Sequence, residues 1–448
     1  MFSGAWTPGN NAMIDPQTYA IAFIVVLLVL GMAGVHVAAI MFFIAFATAA
    51  YALGAGAVLN VGNLAWSTQT DFILVAVPLF ILLGEILLRS GISDRMYRSL
   101  AAWTSGIPGG LLHTNIASCA LFAATSGSSV ATAATIGTVA LPAFKERRYD
   151  ERMVLGSLVA GGTLGILIPP SINMIVYGAM TDTSIGRLFA AGIIPGIVLS
   201  LLFMAFIFVA TVIRPSIAGQ GEPHIGWKAR CLLLKDLVPP FGIFAVVMGS
   251  MYTGLATATE ASAFGVVASL GLGAFYRRLS IRMLHECFKS TVRTTAMVTL
   301  IVTAAFFLNF VLSVLGLPQA IATWVKSLGI SPMQTIWLLF LIYLILGCFL
   351  ETLAMMITTI PIVTPLVVSM GFDPVWFGIF LVLMAELSLV TPPVGMNLYV
   401  VQGIREPGGK IGDVIMGSLP FVGVLLLMTV LLMYFPQMAL WLPDYLYN

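Results

Sequence analysis

The sequence predicts an all-α polytopic membrane protein made of two inverted repeats, each with five crossings and one re-entrant hairpin. Three observations carry that prediction. Of 448 residues, 60% are hydrophobic and 8% charged, with a mean hydropathy of +1.04. So much apolar surface cannot all be hidden in a soluble core, and the solvent for most of the chain is therefore lipid. Apolar stretches of about 20 residues, each enough to cross roughly 30 Å of hydrocarbon, recur along the chain. Finally, Pro142 and Pro365, Pro169 and Pro392, and Pro170 and Pro393 are each 223 residues apart, as are Thr135 and Thr358. Three proline pairs at one offset, in corresponding elements, argue for duplication.

The elements follow in order. Residues 1–18 form a short retained tail, because the first basic residue is Arg89 and a signal peptide would need a positive flank. The first repeat, 19–213, has crossings near 19–34, 36–53 and 72–88, a hairpin at 111–144, an interrupted crossing at 153–180 and a last crossing at 188–213. A charged linker, 214–236, carries Pro215, Gly219, Gly221 and Pro223. The second repeat, 237–436, has crossings at 237–254, 258–276 and 294–316, a hairpin at 334–370, an interrupted crossing at 375–403 and a last crossing at 415–436, followed by a tail at 437–448. Both hairpin stretches are too long for one helix, and each is broken midway, at Ser126-Gly127-Ser128-Ser129 and at Glu351-Thr352.

Charge sets the orientation. With the N-terminus outside and each hairpin returning to the face it left, eighteen of the twenty basic residues fall on the cytoplasmic side, and only Arg187 and Lys326 remain outside. Both termini then face out, and the linker faces in. Each half crosses an odd number of times, so the second is inserted upside down. Such repeats are the signature of secondary transporters with a site near the bilayer midplane.

The four interruptions supply the chemistry. Pro169-Pro170 and Pro392-Pro393 remove amides that would have bonded the carbonyls of Gly165 and Ile166, and of Ser388 and Leu389. Backbone of this kind persists in a membrane where it lines a polar cavity or binds a cation. At the first tip, small hydroxyl residues surround a glycine that permits close backbone approach. The helix that starts there offers unpaired N–H groups suited to a carboxylate, and the hydroxyls and released carbonyls suit a hard monovalent cation. Glu351 is a carboxylate between apolar runs; it is a cation ligand, a proton carrier or a cap on the helix beginning at Thr352. Glu386 is a second such acid.

The remaining polar residues read as structural. Asp71 and Asp373 precede helices as caps, Thr257 to Glu260 fits a capping box, and Glu85 pairs with Arg89 at i, i+4. The four cysteines share no metal spacing and imply no disulfide framework. Small, separated basic groups at a net charge of +2 argue against nucleic acid. There is no HExxH, Walker or GxSxG motif, so neither ATP hydrolysis nor hydrolytic catalysis has support, and the chain is expected not to be an enzyme. An ion gradient is the simplest energy source.

At these residues the chain resembles the large membrane subunit of tripartite ATP-independent periplasmic (TRAP) transporters. The likeness runs over nearly the whole chain. It is strongest at Ala124-Thr125-Ser126-Gly127-Ser128-Ser129-Val130-Ala131-Thr132, at Gly161 to Ser171 around Pro169-Pro170, at Thr391-Pro392-Pro393-Val394-Gly395-Met396-Asn397-Leu398, and at Glu351-Thr352-Leu353-Ala354-Met355-Met356. It departs at Ala258, where the family pattern usually has proline. The resemblance implies an elevator-type ion transporter of the bacterial inner membrane, taking up an organic anion, often a dicarboxylate or sialic acid, with two or more sodium ions. It also implies two partners, a soluble periplasmic binding protein and a small four-helix membrane subunit, the latter expected as a separate chain. The sodium-ligand candidates are Ser126, Gly127, Ser128, Ser129, Gly165, Ile166, Glu351, Thr352, Ser388 and Thr391, and the substrate-ligand candidates are Ser128, Ser129, Asn173, Thr352 and Asn397. The nearest alternative is a self-sufficient sodium/dicarboxylate symporter of related hairpin architecture. A channel would instead carry a continuous polar face.

Overall fold

A computed structural model describes residues 16–220 and 226–447, so the expected N-terminal tail up to residue 15, linker residues 221–225 and Asn448 lie outside the described residues. Every regular element among the described residues is helical. The first half contains α1 (Pro16–Met32), α2 (Val37–Ala52), α3 (Ala55–Leu59), α4 (Val61–Gln69), α5 (Ala76–Arg89), α6 (Ile92–Thr104), α7 (Leu111–Ser126), α8 (Ser129–Glu146), α9 (Glu151–Leu167), α10 (Ile172–Thr181) and α11 (Ile185–Ile213). After the linker, which includes α12 (Trp227–Leu233), come α13 (Val238–Tyr252), α14 (Ala258–Phe275), α15 (Ile281–Val314), α16 (Leu317–Ser327), α17 (Pro332–Gly347), α18 (Thr352–Ser369), α19 (Pro374–Val390), α20 (Met396–Ile404), α21 (Ile411–Tyr434) and α22 (Gln437–Tyr447).

The 223-residue offset recurs in the helix boundaries. Shifted by 223, α8 and α9 coincide with α18 and α19 at both ends. The caps correspond too. Asp150 accepts from the Met153 amide at the start of α9, and Asp373 from the Val375 and Trp376 amides at the start of α19. Ser128 caps α8 and Glu351 caps α18, each accepting from the amide three residues on. Packing across the halves is reciprocal: α5 packs on α14 and α15 on α2, α8 on α20 and α18 on α10, α9 on α21 and α19 on α11. Exchange of partners in this way is what a two-fold relation between halves produces.

Among the described residues, six stretches are long and apolar enough to cross a membrane by length and composition, and counting each of three bent pairs as one span brings the number to nine. The ten expected crossings differ from this for simple reasons. The 16-residue α2 spans only about 24 Å. The crossing expected at 294–316 begins at Ile281, and its 34 residues reach about 51 Å, so the turns bearing Arg282, Lys289 and Arg293 extend past the hydrocarbon. The crossing expected at 72–88 bends by 69° into α6. The loop between the second and third crossings contains α3 and α4, and the C-terminal tail is helical, with Arg187 bonded to Asp444 at 2.9 Å. The Thr257–Glu260 capping box is present, so α14 starts at Ala258 without the family's usual proline. Glu85 pairs with Arg89 as expected, and it also accepts from Ser290 Oγ on α15 at 2.6 Å.

Glycines decide how closely the central helices approach. A Cβ on Gly156 of α9 would overlap the carbonyl oxygen of Gly417 on α21, and one on Gly417 would overlap the Arg152 carbonyl. Backbone contact of this kind, built from small residues, is a common means of packing helices in lipid. An ionic cluster finishes the same end: Arg152 bonds Asp413 at 3.0 Å, Arg405 bonds Glu151 at 2.7 Å, and Lys145 bonds Glu406 at 2.6 Å.

Candidate functional site: two hairpin tips seated on two broken helices

The first tip is a two-residue break between α7 and α8. Gly127 turns it with φ +62°, a left-handed conformation that glycine adopts without a Cβ penalty. Ser128 is then extended, and its Oγ accepts from the Ala131 amide at 3.4 Å. Thr132 Oγ1 donates to the Ser128 carbonyl at 2.8 Å and lies 3.0 Å from Ser126 Oγ. The tip is docked on the first broken helix. Ser129 Oγ donates to the Thr163 carbonyl at 3.1 Å, a Cβ on Gly165 would sit 2.6 Å from the Ser128 carbonyl, and a Cβ on Gly127 would sit 2.7 Å from the Pro170 carbonyl oxygen. On its other side α5 comes close, with a Cβ on Gly84 falling 2.9 Å from the Ser126 oxygen.

The second tip repeats the arrangement with different residues. Glu351 stands where Ser128 does in the first half, and its carboxylate accepts from the Ala354 amide at 3.0 Å and from Thr352 Oγ1 at 2.9 Å. Of the roles left open by the sequence, the cap is the one this geometry displays. The Val394 amide donates to the Cys348 carbonyl at 3.3 Å, and a Cβ on Gly347 would lie 2.9 Å from Ser388 Cβ. Gly165 and Ser388 therefore hold corresponding positions, each against its own tip.

Both breaks contain a cis Pro-Pro bond preceded by an extended residue, Ile168 or Thr391. The Ile166 carbonyl is not free: Ser171 Oγ donates to it at 2.6 Å, replacing the amide that Pro170 lacks. Thr391 and Ser388 likewise donate back to the Leu387 and Ala385 carbonyls, at 2.6 and 2.7 Å. A hydroxyl that donates still has lone pairs for a cation.

Thus the first junction sets Ser128 and Ser129 against Thr163 and Gly165 and Gly127 against Pro170, and the second sets Gly347 and Cys348 against Ser388 and Val394, with Glu351 and Thr352 following at the tip and Thr391 in the break. The two asparagines are elsewhere. Asn173 on α10 points to Met356 of the opposite half's α18, Nδ2 to Sδ 3.4 Å, whereas Asn397 on α20 donates to the Val159 carbonyl of α9 at 3.2 Å. The buried Asn397 Oδ1 has no partner among the described residues, nor has either oxygen of the fully buried Glu386. Glu386 is two residues from Ser388, about 200° around α19, and so faces away from the second tip. Reading the sequence missed Thr132, Thr163 and Gly84. Thr132 lay inside a quoted motif, while Thr163 acts through its backbone and Gly84 through a tertiary approach that no local pattern marks.

Paired hairpins on paired broken helices define a class, the polytopic membrane transporters built around discontinuous helices. Solved structures share the fold: the Alcanivorax borkumensis YdaH transporter, at TM-score 0.61 and 16% identity over 96% of this chain and 100% of that one, and Neisseria gonorrhoeae MtrF, at 0.53 and 15% over 95% and 96%. Within that class the chain belongs to the family of the tripartite ATP-independent periplasmic transporter DctM component, whose model matches residues 24–438. It is 33% identical to the C4-dicarboxylate TRAP transporter large permease protein DctM of Pseudomonas aeruginosa, over 85% of this chain and 88% of that protein. It is 34% identical to the ectoine/5-hydroxyectoine large permease UehC of Ruegeria pomeroyi, over 83% and 86%. With the sialic acid large permease SiaM of Vibrio cholerae it shares 31% over 84% and 87%.

Proposed function

We propose that the chain is the large permease of a sodium-coupled uptake system for a small organic anion with a carboxylate. A periplasmic binding protein delivers the substrate, and a small four-helix membrane subunit accompanies the permease in the bacterial inner membrane. The observation that carries this reading is the pair of tip-on-break junctions. At each, hydroxyl and carbonyl oxygens lie beside the N-terminus of an 18-residue helix whose cap, Ser128 or Glu351, holds one amide and leaves the others, a combination suited to a monovalent cation and a carboxylate together. Two junctions imply at least two sodium ions. The reciprocal packing of the halves supports an inverted repeat, and the cycle proposed for it is of the elevator type, the two hairpins travelling together against the remaining helices. The names of the relatives favour an organic solute and leave its identity open.

The test is uptake into vesicles containing this chain and its small subunit, with the binding protein outside. Uptake is expected to vanish without a sodium gradient and to rise with more than first-order sodium dependence. Full uptake on a proton gradient alone would refute the coupling. Uptake undiminished without the binding protein would favour the self-sufficient symporter.

A further inference from the structure

A groove of about 630 Å3 runs along α15 where α2, α4 and α5 pack on it. Phe42, Gln69 and Pro78 belong to its far side, and Thr291, Thr295 and Thr303 are among the α15 residues that line it. Hydroxyls recur at every fourth residue from Thr291 to Thr303, but they are not equivalent. At the deep end Thr303 Oγ1 donates to the Thr299 carbonyl of its own helix at 2.8 Å. At the other end the Oγ1 atoms of Thr291 and Thr295 are shielded and have no partner among the described residues, and Thr291 as a whole is only 6% exposed. A shielded hydroxyl without a partner is unfavourable, so this end of the groove calls for acceptors that the chain does not provide.

Charge continues the same face. Arg282, Lys289, Arg293, Ala296 and Leu300 follow at spacings of 7, 4, 3 and 4 and so form one stripe of the helix. All five are exposed, and Ala296 and Leu300 line the groove. Between residues 277 and 293 there are five basic residues and one acid, Glu286, and none of the five has an acidic partner among the described residues. Lys145, Arg152, Arg187 and Arg405, by contrast, are each paired. Exposed Phe288 and Val292 interleave with the unpaired cations. Arg293 stands at the edge of the apolar stretch that begins at 294, and from Arg293 to Thr303 α15 rises about 15 Å, half of roughly 30 Å of hydrocarbon. The groove is therefore one leaflet deep and starts at headgroup level, on the side where the charge distribution puts the cytoplasm.

We propose that this groove binds one anionic phospholipid of the cytoplasmic leaflet. Its phosphate lies against Lys289 and Arg293, its glycerol ester oxygens accept from Thr291 and Thr295, and one acyl chain runs past Ala296 and Leu300 toward Thr303. The lipid thereby ties α2, α4 and α5 to α15. A transmembrane helix of a partner is the other candidate, but its carbonyls are engaged in its own hydrogen bonds, and it leaves the unpaired cations below the groove unexplained. The inference goes beyond the transport reading and does not depend on sodium coupling.

Native mass spectrometry of the chain purified with its small subunit, titrated with dioleoylphosphatidylglycerol or dioleoylphosphatidylcholine, tests it. One phosphatidylglycerol is expected to be retained. Lys289→Gln with Arg293→Gln should weaken it about thirtyfold, roughly fivefold per charge, and bring it close to phosphatidylcholine. Thr295→Val keeps the shape and removes the hydroxyl, so both lipids should weaken by about threefold to tenfold. Arg277→Gln with Arg278→Gln is the control for diffuse attraction. From Ile281 to Lys289 α15 rises about 12 Å, more than the Debye length of about 8 Å at physiological salt, so this pair should cost less than about threefold. Ala296→Trp fills the groove and should displace the lipid while the small subunit stays bound. Equal losses from the two charge pairs would reduce the binding to diffuse attraction and overturn the site. Release of the small subunit by Ala296→Trp with lipid retention unchanged would give the groove to a partner helix and overturn it as well.

Discussion

Gly127→Leu and Gly165→Leu are each expected to stop transport in protein that is still made and inserted. Two physical terms act at Gly127. Its left-handed φ of +62° costs a non-glycine residue roughly 1–2 kcal/mol. In addition, any Cβ would press on the Pro170 carbonyl oxygen from 2.7 Å, so the tip must lift off the break. At Gly165 the conformation is helical and only the second term applies, a Cβ 2.6 Å from the Ser128 carbonyl. Lifting the tip separates Ser128 and Ser129 from the broken helix, and positioning errors of about 1 Å commonly cost on the order of 100-fold in rate. Initial uptake rates normalised to inserted protein check this. Thr183, whose hydroxyl lies 2.8 Å from Thr181 in the loop after α10, is the control, and Thr183→Ala should transport normally. Wild-type rates from both glycine variants would make the tips packing elements.

Gly156→Val should act earlier, on the fold itself. The α9–α21 crossing places Gly156 against the Gly417 carbonyl, with Phe421 3.1 Å from the site of a Cβ. Backbone cannot yield as a flexible side chain can, so the helices must part and the Arg152–Asp413 pair across the same seam must stretch. Overpacking typically costs about 1–3 kcal/mol, and loss of direct helix contact places this site at or beyond the upper end. The measurement is the yield of monodisperse protein from detergent, with its thermal midpoint. Gly226→Val, at an exposed turn where a Cβ would meet nothing within 4 Å, should leave both unchanged.

These residues also show what the sequence could and could not reveal. The tips and breaks were legible because Gly127, Pro169-Pro170 and Pro392-Pro393 act on their own backbone and stand out against apolar runs. The constant offset made the second set readable from the first. By contrast α3, α4, α6, α16 and α22 were missed, since short helices such as Ile92–Thr104, with Asp94, Arg95 and Arg98, do not stand alone as an apolar crossing. Gly84, Gly156 and Gly417 carry their meaning in a partner distant in sequence. The bonding of Ile166 to Ser171 was also beyond reach, because a freed carbonyl and one satisfied by a hydroxyl five residues on share the same sequence.

Sodium-dependent stability of the purified protein tests the central claim most directly, since it needs neither substrate nor partner. An ion that binds only the folded state stabilises it by RT ln(1 + [L]/Kd), about 2.7 kcal/mol at 100 times Kd. Sodium replacing potassium at constant ionic strength should therefore raise the thermal midpoint, with a concentration dependence that requires two ions. Ser128→Ala removes an oxygen from the first junction, and Glu351→Gln removes the charge from the second while keeping an acceptor for the Ala354 amide. A hydrogen bond or ligand to a charged partner is worth roughly 1.5–3 kcal/mol, so each variant should weaken one ion about tenfold to a hundredfold, and the double variant should weaken both. Ser128→Ala also loses a helix cap, which lowers the midpoint in both salts by the same amount and leaves the sodium increment as the readout. The account predicts a sodium increment in wild type, a reduced one in each single variant and the smallest in the double. Equal midpoints in sodium and potassium, or the full increment in all variants, would contradict it.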